Sequence, residues 1–158
     1  MNLYIVRHTE AEPGSQTLSD KERKITPRGR EYLANSIAHW KKLMPLPEVI
    51  ISSPYIRAME TAKVIHTELG LSEPVHIENV LASGAIPSLV QKFLTVHSSD
   101  SILLVGHEPD CSALLSHFVA NGSRIADFLP GAIAWIQFNS SIRSDAGLLR
   151  LFMGPVTK

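Results

Sequence analysis

The stretch "LYIVRH", Leu3 to His8, decides how this chain is read. Four apolar residues run without a polar break into an arginine and a histidine. A strand lacking apolar–polar alternation is buried on both faces, as in a parallel sheet covered by helices on either side. Two further runs have the same character, EVII at 48–51 and ILLV at 102–105. Helical patterns separate them. Thr26 and Pro27 form a cap followed by a first-turn proline, and Leu33, Ile37, Trp40 and Met44 follow at helical spacing until Pro45 and Pro47. Ser53 and Pro54 repeat that start ahead of Met59, Ala62, Ile65 and Leu69, with Gly70 closing the helix.

The remaining elements complete the alternation. Residues 75–77 read as a short strand, and Pro87 to Val96 as a helix burying Leu89, Phe93 and Val96. Pro109 opens a helix carrying Cys111, Leu114, Leu115 and Phe118, closed by Asn121 and Gly122. Residues 132–138 and 148–153 read as two late strands joined by a polar loop. Residues 9–25 are polar and contain Pro13 and Gly14, a long loop of the kind that carries function or lacks order. The expected fold is α/β, a three-layer α/β/α sandwich with a mostly parallel central sheet, in one domain spanning 1–158.

Bulk properties exclude several classes. The chain has 158 residues with 44% hydrophobic and 19% charged residues, ordinary for a globular domain with a proper core. Its formal net charge is +0, so no global basic field gathers nucleic acid or an anionic membrane. A single cysteine, Cys111, excludes an internal disulfide and any multi-cysteine zinc site. No HExxH pattern or His/Cys cluster points to a metal, and no glycine-rich nucleotide motif points to a cofactor, so none is expected. The sequence enters its first strand at once, and no apolar run reaches the roughly 20 residues a membrane helix needs. Cytoplasmic location is the resulting expectation.

In open α/β sheets, ligands bind beyond the carboxyl ends of the strands. Arg7 and His8 follow the first strand. Ser52, Ser53 and Pro54 follow the second, with Arg57 one helical turn on. Gly106, His107, Glu108 and Pro109 follow ILLV. Parallel strands bring these ends to one edge, so two arginines and two histidines converge. A phosphoryl group suits that set, because arginine offers forked, always-charged donors. The helix starts at Pro54 and Pro109 add free backbone N–H groups and positive dipole ends. A neutral imidazole can attack phosphorus, and neighbouring cations keep it neutral. A second histidine, protonated, can hold charge on the equatorial oxygens. His39, His66, His76, His97 and His117 read as structural or surface residues.

"VRHTEAE", "ITPRGREYLA", "SSPYIRAMETA" and "VGHEPD" together resemble, in order and spacing, the motifs of the histidine phosphatase superfamily, the phosphoglycerate mutase-like fold. The resemblance spans essentially the whole chain. The chain has no room for the helical insertions of larger members, and most resembles the compact branch of SixA phosphohistidine phosphatases. It implies that His8 is the nucleophile that becomes phosphorylated, and that Arg7, Arg57 and His107 complete a metal-independent phosphate pocket. Phosphate or sulfate is the ion expected there. The implied partner is a phosphorylated protein bearing phosphohistidine, or else a small phosphorylated substrate.

The chain departs from the family pattern at three places. Thr9 stands where many members have glycine. Gly14 occupies the position of an asparagine in the sugar-phosphate branches, and Val80 aligns near the place of their glutamate acid, with Glu78 the nearest carboxylate. Glu10, Glu12, Asp20 and Glu108 are the other carboxylates that folding could bring in. An alkoxide leaving group needs a positioned acid, whereas imidazole leaves from phosphohistidine with little help. The expected activity is therefore dephosphorylation of protein phosphohistidine. A small-molecule phosphomonoester phosphatase or mutase, and a phosphate-binding module without turnover, are the alternatives.

Overall fold

A computed structural model describes residues 1–157; Lys158, the last residue of the expected single domain, lies outside them. The strands are β1 (Asn2–Arg7), β2 (Val49–Ser52), β3 (His76–Ile77), β4 (Ser101–Gly106), β5 (Ile133–Gln137) and β6 (Leu148–Met153). The helices are α1 (Pro27–Leu43), α2 (Ile56–Leu69), α3 (Pro87–Leu94) and α4 (Asp110–Val119). One sheet holds all six strands in the order β3-β2-β4-β1-β5-β6. The first four in that order pair in parallel, and β5 and β6 continue antiparallel at one edge. The mostly parallel sandwich is as expected.

The continuous apolar strands divide their side chains between two cores. Leu3 and Ile5 of β1, Ile51 of β2 and Ile102 and Leu104 of β4 face one side, with Val90 and Leu94 of α3 and Cys111, Leu115 and Phe118 of α4. Tyr4 and Val6, Ile50, and Leu103 and Val105 face the other, with Leu33, Ile37 and Trp40 of α1 and Ala58, Ala62 and Ile65 of α2. That is the period-two alternation of a strand expressed on two buried faces. Burying each large side chain stabilises by about 1.5–3 kcal/mol before entropy is counted. Among the described residues, no helix is long and apolar enough to cross a membrane.

Two helical expectations need correction. The core face of α3 is Val90 and Leu94, while Leu89 and Val96 are exposed and Val96 lies past the helix end. The segment offers two adjacent i,i+4 pairs, 89/93 and 90/94, and periodicity cannot choose between them. Phe93 is half-buried, packed against the same core and against the His97 ring, with centroids 4.6 Å apart. The second helix begins at Ile56 rather than Pro54, and Ser53 does not cap it. The Ser53 hydroxyl bonds the His107 ring and accepts from Tyr55 N at 3.3 Å, one residue ahead of the helix.

The turn after β1 is tied to α1 through small groups. Thr26 caps α1 by accepting from Gly29 N at 2.9 Å, and its hydroxyl donates to Glu10 Oε1 at 2.6 Å. The Thr9 hydroxyl donates to the Gly29 carbonyl at 2.8 Å. A Cβ at position 29 would lie 2.5 Å from the Glu10 carbonyl oxygen. Only a residue without a side chain allows this approach. Gly29→Ala should therefore lose about 1–3 kcal/mol of stability through overpacking. Urea unfolding checks this, and a midpoint equal to that of the parent would show that the contact relaxes freely.

Candidate active site

Register builds the site. β1 and β4 pair with Arg7 opposite Gly106, so His8 and His107 leave the sheet side by side. His8 N donates to Gly106 O at 2.9 Å, and the two imidazole centroids are 5.3 Å apart. β2 pairs with β4 so that Ser53 N reaches Val105 O at 3.0 Å, placing Ser53 Oγ 2.7 Å from His107 Nε2. Arg57, in the first turn of α2, extends its guanidinium to the same spot. Arg7 lies at the end of β1, where the segment entering β5 passes beside it. Arg7 N donates to Ala132 O, and Arg7 Nη1 donates to Phe128 O at 2.6 Å. The structure thus gathers Arg7, His8, Arg57 and His107 at one end of the sheet.

The protonation of His8 follows from its partners. Nδ1 lies 2.8 Å from the Thr9 carbonyl, an acceptor only, so Nδ1 carries the proton. Nε2 keeps its lone pair and accepts from Arg57 Nε at 3.1 Å. Burial is the first reason the imidazole resists protonation, followed by His107, Arg57 and Arg7 as neighbouring cations or potential cations. Together they outweigh the Thr9 bond and hold its pKa down to about 3. His107 is lowered to about 4, chiefly by burial and then by Arg57. Among protein groups alone both rings are therefore neutral at pH 7, and the protonated second histidine expected from sequence requires an adjoining anion.

Several buried groups are arranged for a polar ligand. Arg57 is 5% exposed, His107 2% and His8 8%. Arg7 Nε and His107 Nδ1 are buried without hydrogen-bond partners, a costly condition in a folded interior. Together these groups make the spot polar and positively charged, the chemistry an anion requires. Helix ends contribute less than expected. The Glu108 carboxylate takes Ser112 N at 3.2 Å and the Ser112 hydroxyl, so the first turn of α4 is already capped.

Of the other carboxylates, one alone reaches the four residues. Glu10 is held by Arg28 and Thr26, Glu12 accepts from Lys24 N, and Glu108 also accepts from Phe128 N. Asp20 pairs with Arg57 at 3.0 Å. Val80 packs against the α3–α4 core. Reading the sequence missed Tyr55, whose ring lies 4.7 Å from that of His107 and 5.0 Å from Arg57 Cζ. It also missed the Phe128 carbonyl, for which no local sequence signal exists.

Similarity to known proteins points to one family. The family profile of the histidine phosphatase superfamily (branch 1) matches residues 3–83. No curated protein matches the sequence. Among solved structures, the protein histidine phosphatase SixA complexed with tungstate superposes with a TM-score of 0.86 at 24% identity, covering 98% of this chain and 97% of that one. A SixA-type protein of Agrobacterium tumefaciens gives 0.80 at 18%, covering 98% and 97%. A mycobacterial glucosyl-3-phosphoglycerate phosphatase gives 0.72 at 15%, covering 97% and 98%. At these identities the likeness is one of fold.

The lowered histidines fix a pH dependence. Both folded values lie below the ordinary 6.5, so the unfolded chain binds protons that the folded chain refuses. Their stabilising contribution is full above about pH 6.5 and is lost as pH falls towards 4 and below. The slope reaches about 1.4 kcal/mol per pH unit for a single histidine. Stability measured from pH 7 to 4.5 should decline more steeply in the parent than in His107→Asn. Parallel pH profiles, or an imidazole of His8 titrating near 6.5 by NMR, would contradict this.

Proposed function

This chain belongs to the histidine phosphatase superfamily, and we propose that it dephosphorylates phosphohistidine carried on a protein. The observation that carries the reading is the unprotonated His8 Nε2, fixed by the Nδ1–Thr9 bond, whose lone pair accepts only a hydrogen bond from Arg57 Nε. In the proposed reaction, Nε2 attacks phosphorus in line as the substrate N–P bond breaks. The leaving imidazole takes a proton from solvent. Water then attacks the phosphoryl group on His8, releasing inorganic phosphate and restoring the free imidazole. Arg7, Arg57 and His107 hold the equatorial oxygens throughout.

The inventory of acids favours this substrate class. Glu10, Glu12 and Glu108 are committed to the scaffold. Asp20 lies beside Arg57. Desolvation works against its charged form, yet hydrogen bonds from Arg57 and Arg23 leave its carboxyl below the usual range. An ionised carboxylate cannot donate a proton to an alkoxide. A phosphoramidate bond needs no such donor, and that favours phosphohistidine over a sugar phosphate. No metal is required in this scheme, because two guanidinium groups supply the positive charge.

Three outcomes test the proposal. His8→Ala should abolish turnover and acid-labile phosphoryl labelling while the circular dichroism spectrum stays unchanged; labelling that persisted would remove His8 from the chemistry. Arg7→Ala and Arg57→Ala should each cost about 2–4 kcal/mol in kcat/KM, by analogy with oxyanion donors. On one preparation, kcat/KM for a phosphohistidine-bearing phosphotransfer domain should far exceed that for sugar phosphates and phosphoglycerate, with chelator leaving both unchanged. A small phosphomonoester winning that comparison would make the chain a small-molecule phosphatase.

A further inference from the structure

The loop between β1 and α1 has a fixed neck and a loosely held tip. At the neck, Ala11 bridges Ile25, Glu12 N donates to Lys24 O at 2.8 Å, and Thr26 N donates to Glu10 O at 3.0 Å. Ile25 is buried there and donates its N–H to Glu60 Oε2 at 2.8 Å. The tip, residues 13–24, has no buried side chain. Its short 3-10 turn, Asp20–Glu22, reaches the body of the protein through polar contacts. Arg57 Nη1 donates to Asp20 O at 2.5 Å and Arg57 Nη2 to Asp20 Oδ2 at 3.0 Å, while Lys21 Nζ lies 5.8 Å from the centre of the Tyr55 ring. Arg23 braces the turn from behind, donating to Glu12 O and Asp20 Oδ1 at 2.7 Å each.

This geometry places a carboxylate on the edge of Arg57 that an anion needs. Nε is engaged with His8, so the Nη1–Nη2 edge is the remaining fork, and Asp20 sits across it. We propose that Asp20 is an internal anion competing with the phosphoryl group for Arg57, and that the tip around it is displaced when a substrate binds. The proposal rests on the reading that Arg57 grips the phosphoryl group. Asp20 suits the part because its side chain is 58% exposed while Arg57 is buried, so water can take over the carboxylate once it is released and an incoming anion can take over the guanidinium. Segments that bury little apolar surface open at low free-energy cost. Once displaced, the negative charge of Asp20 no longer adjoins the oxygens of the substrate. While latched, it partly neutralises a guanidinium that would otherwise be buried beside a second arginine.

Tungstate tests this without reference to the substrate. Its Kd, measured by calorimetry, should be roughly threefold to tenfold tighter in Asp20→Asn than in the parent, with the gain shrinking as salt is raised. Asp20→Ala should move the same way. In the unaltered protein, saturating tungstate should speed amide hydrogen exchange across residues 15–23 while slowing it at residues 7–9. Equal or weaker binding in both variants, or unchanged or slower exchange at the tip, would overturn the latch. A preference for sugar phosphates would sink the substrate reading and leave the latch standing. Absence of tungstate binding from parent and variants alike would overturn the pocket and the latch together.

Discussion

The pairing of β1 with β4 governs the rest of the structure. Both strands are buried on two faces, and their register places Arg7 opposite Gly106. Shifting β1 by one residue against β4 would exchange its side chains between the two cores, sending Tyr4 and Val6 to the face now packed by α3 and α4. Packing therefore locks the register, and the register sets two histidines 5.3 Å apart without any direct bond between them. Chemistry at the strand ends is positioned by apolar burial several residues away.

Placing two guanidinium groups at that point carries a desolvation penalty that the surroundings offset in different ways. Arg7 is stabilised by a backbone carbonyl from the segment leading into β5, while Arg57 is stabilised by Asp20 and its carbonyl. Neutral histidines add no further charge. The turn carrying His8 is made rigid by uncharged contacts: Thr9 N donates to Thr61 Oγ1 at 3.2 Å, and the Thr9 hydroxyl donates to the Gly29 carbonyl. A glycine at position 9 would lack that hydroxyl tie. The threonine that departs from the family pattern thus joins the turn to α1.

Much of this was legible in the sequence because it depended on local rules. Solid apolar strands, the Thr26 cap and the order of motifs placed Arg7, His8, Arg57 and His107 at one sheet edge before any coordinates. What was not legible depended on competition between equivalent local choices. The 89/93 and 90/94 pairs differ only in which face the rest of the fold presents to them. Ser53 satisfies the rule for a helix cap as well as it satisfies a histidine, and tertiary structure chose the histidine. Glu10, Glu12, Asp20 and Glu108 are indistinguishable as carboxylates along the chain. Folding commits three of them to scaffold bonds and carries one to Arg57.

The electrostatics of the site also set when the protonated second histidine expected from sequence can form. Burial and two arginines favour neutral imidazoles as long as no negative charge is present. A phosphoryl dianion reverses the local field, and an imidazole adjoining it then gains a favourable partner for its charged form. Proton uptake at His107 thereby becomes coupled to anion binding instead of being a property of the resting protein. In the proposed reaction that ordering is useful. His8 must keep its lone pair until phosphorus arrives, and a histidinium 5.3 Å away beforehand would be a further cation repelled by Arg57 and Arg7. Under that proposal, the burial that keeps the His8 imidazole neutral also delays the charge on His107 until there are oxygens for it to stabilise.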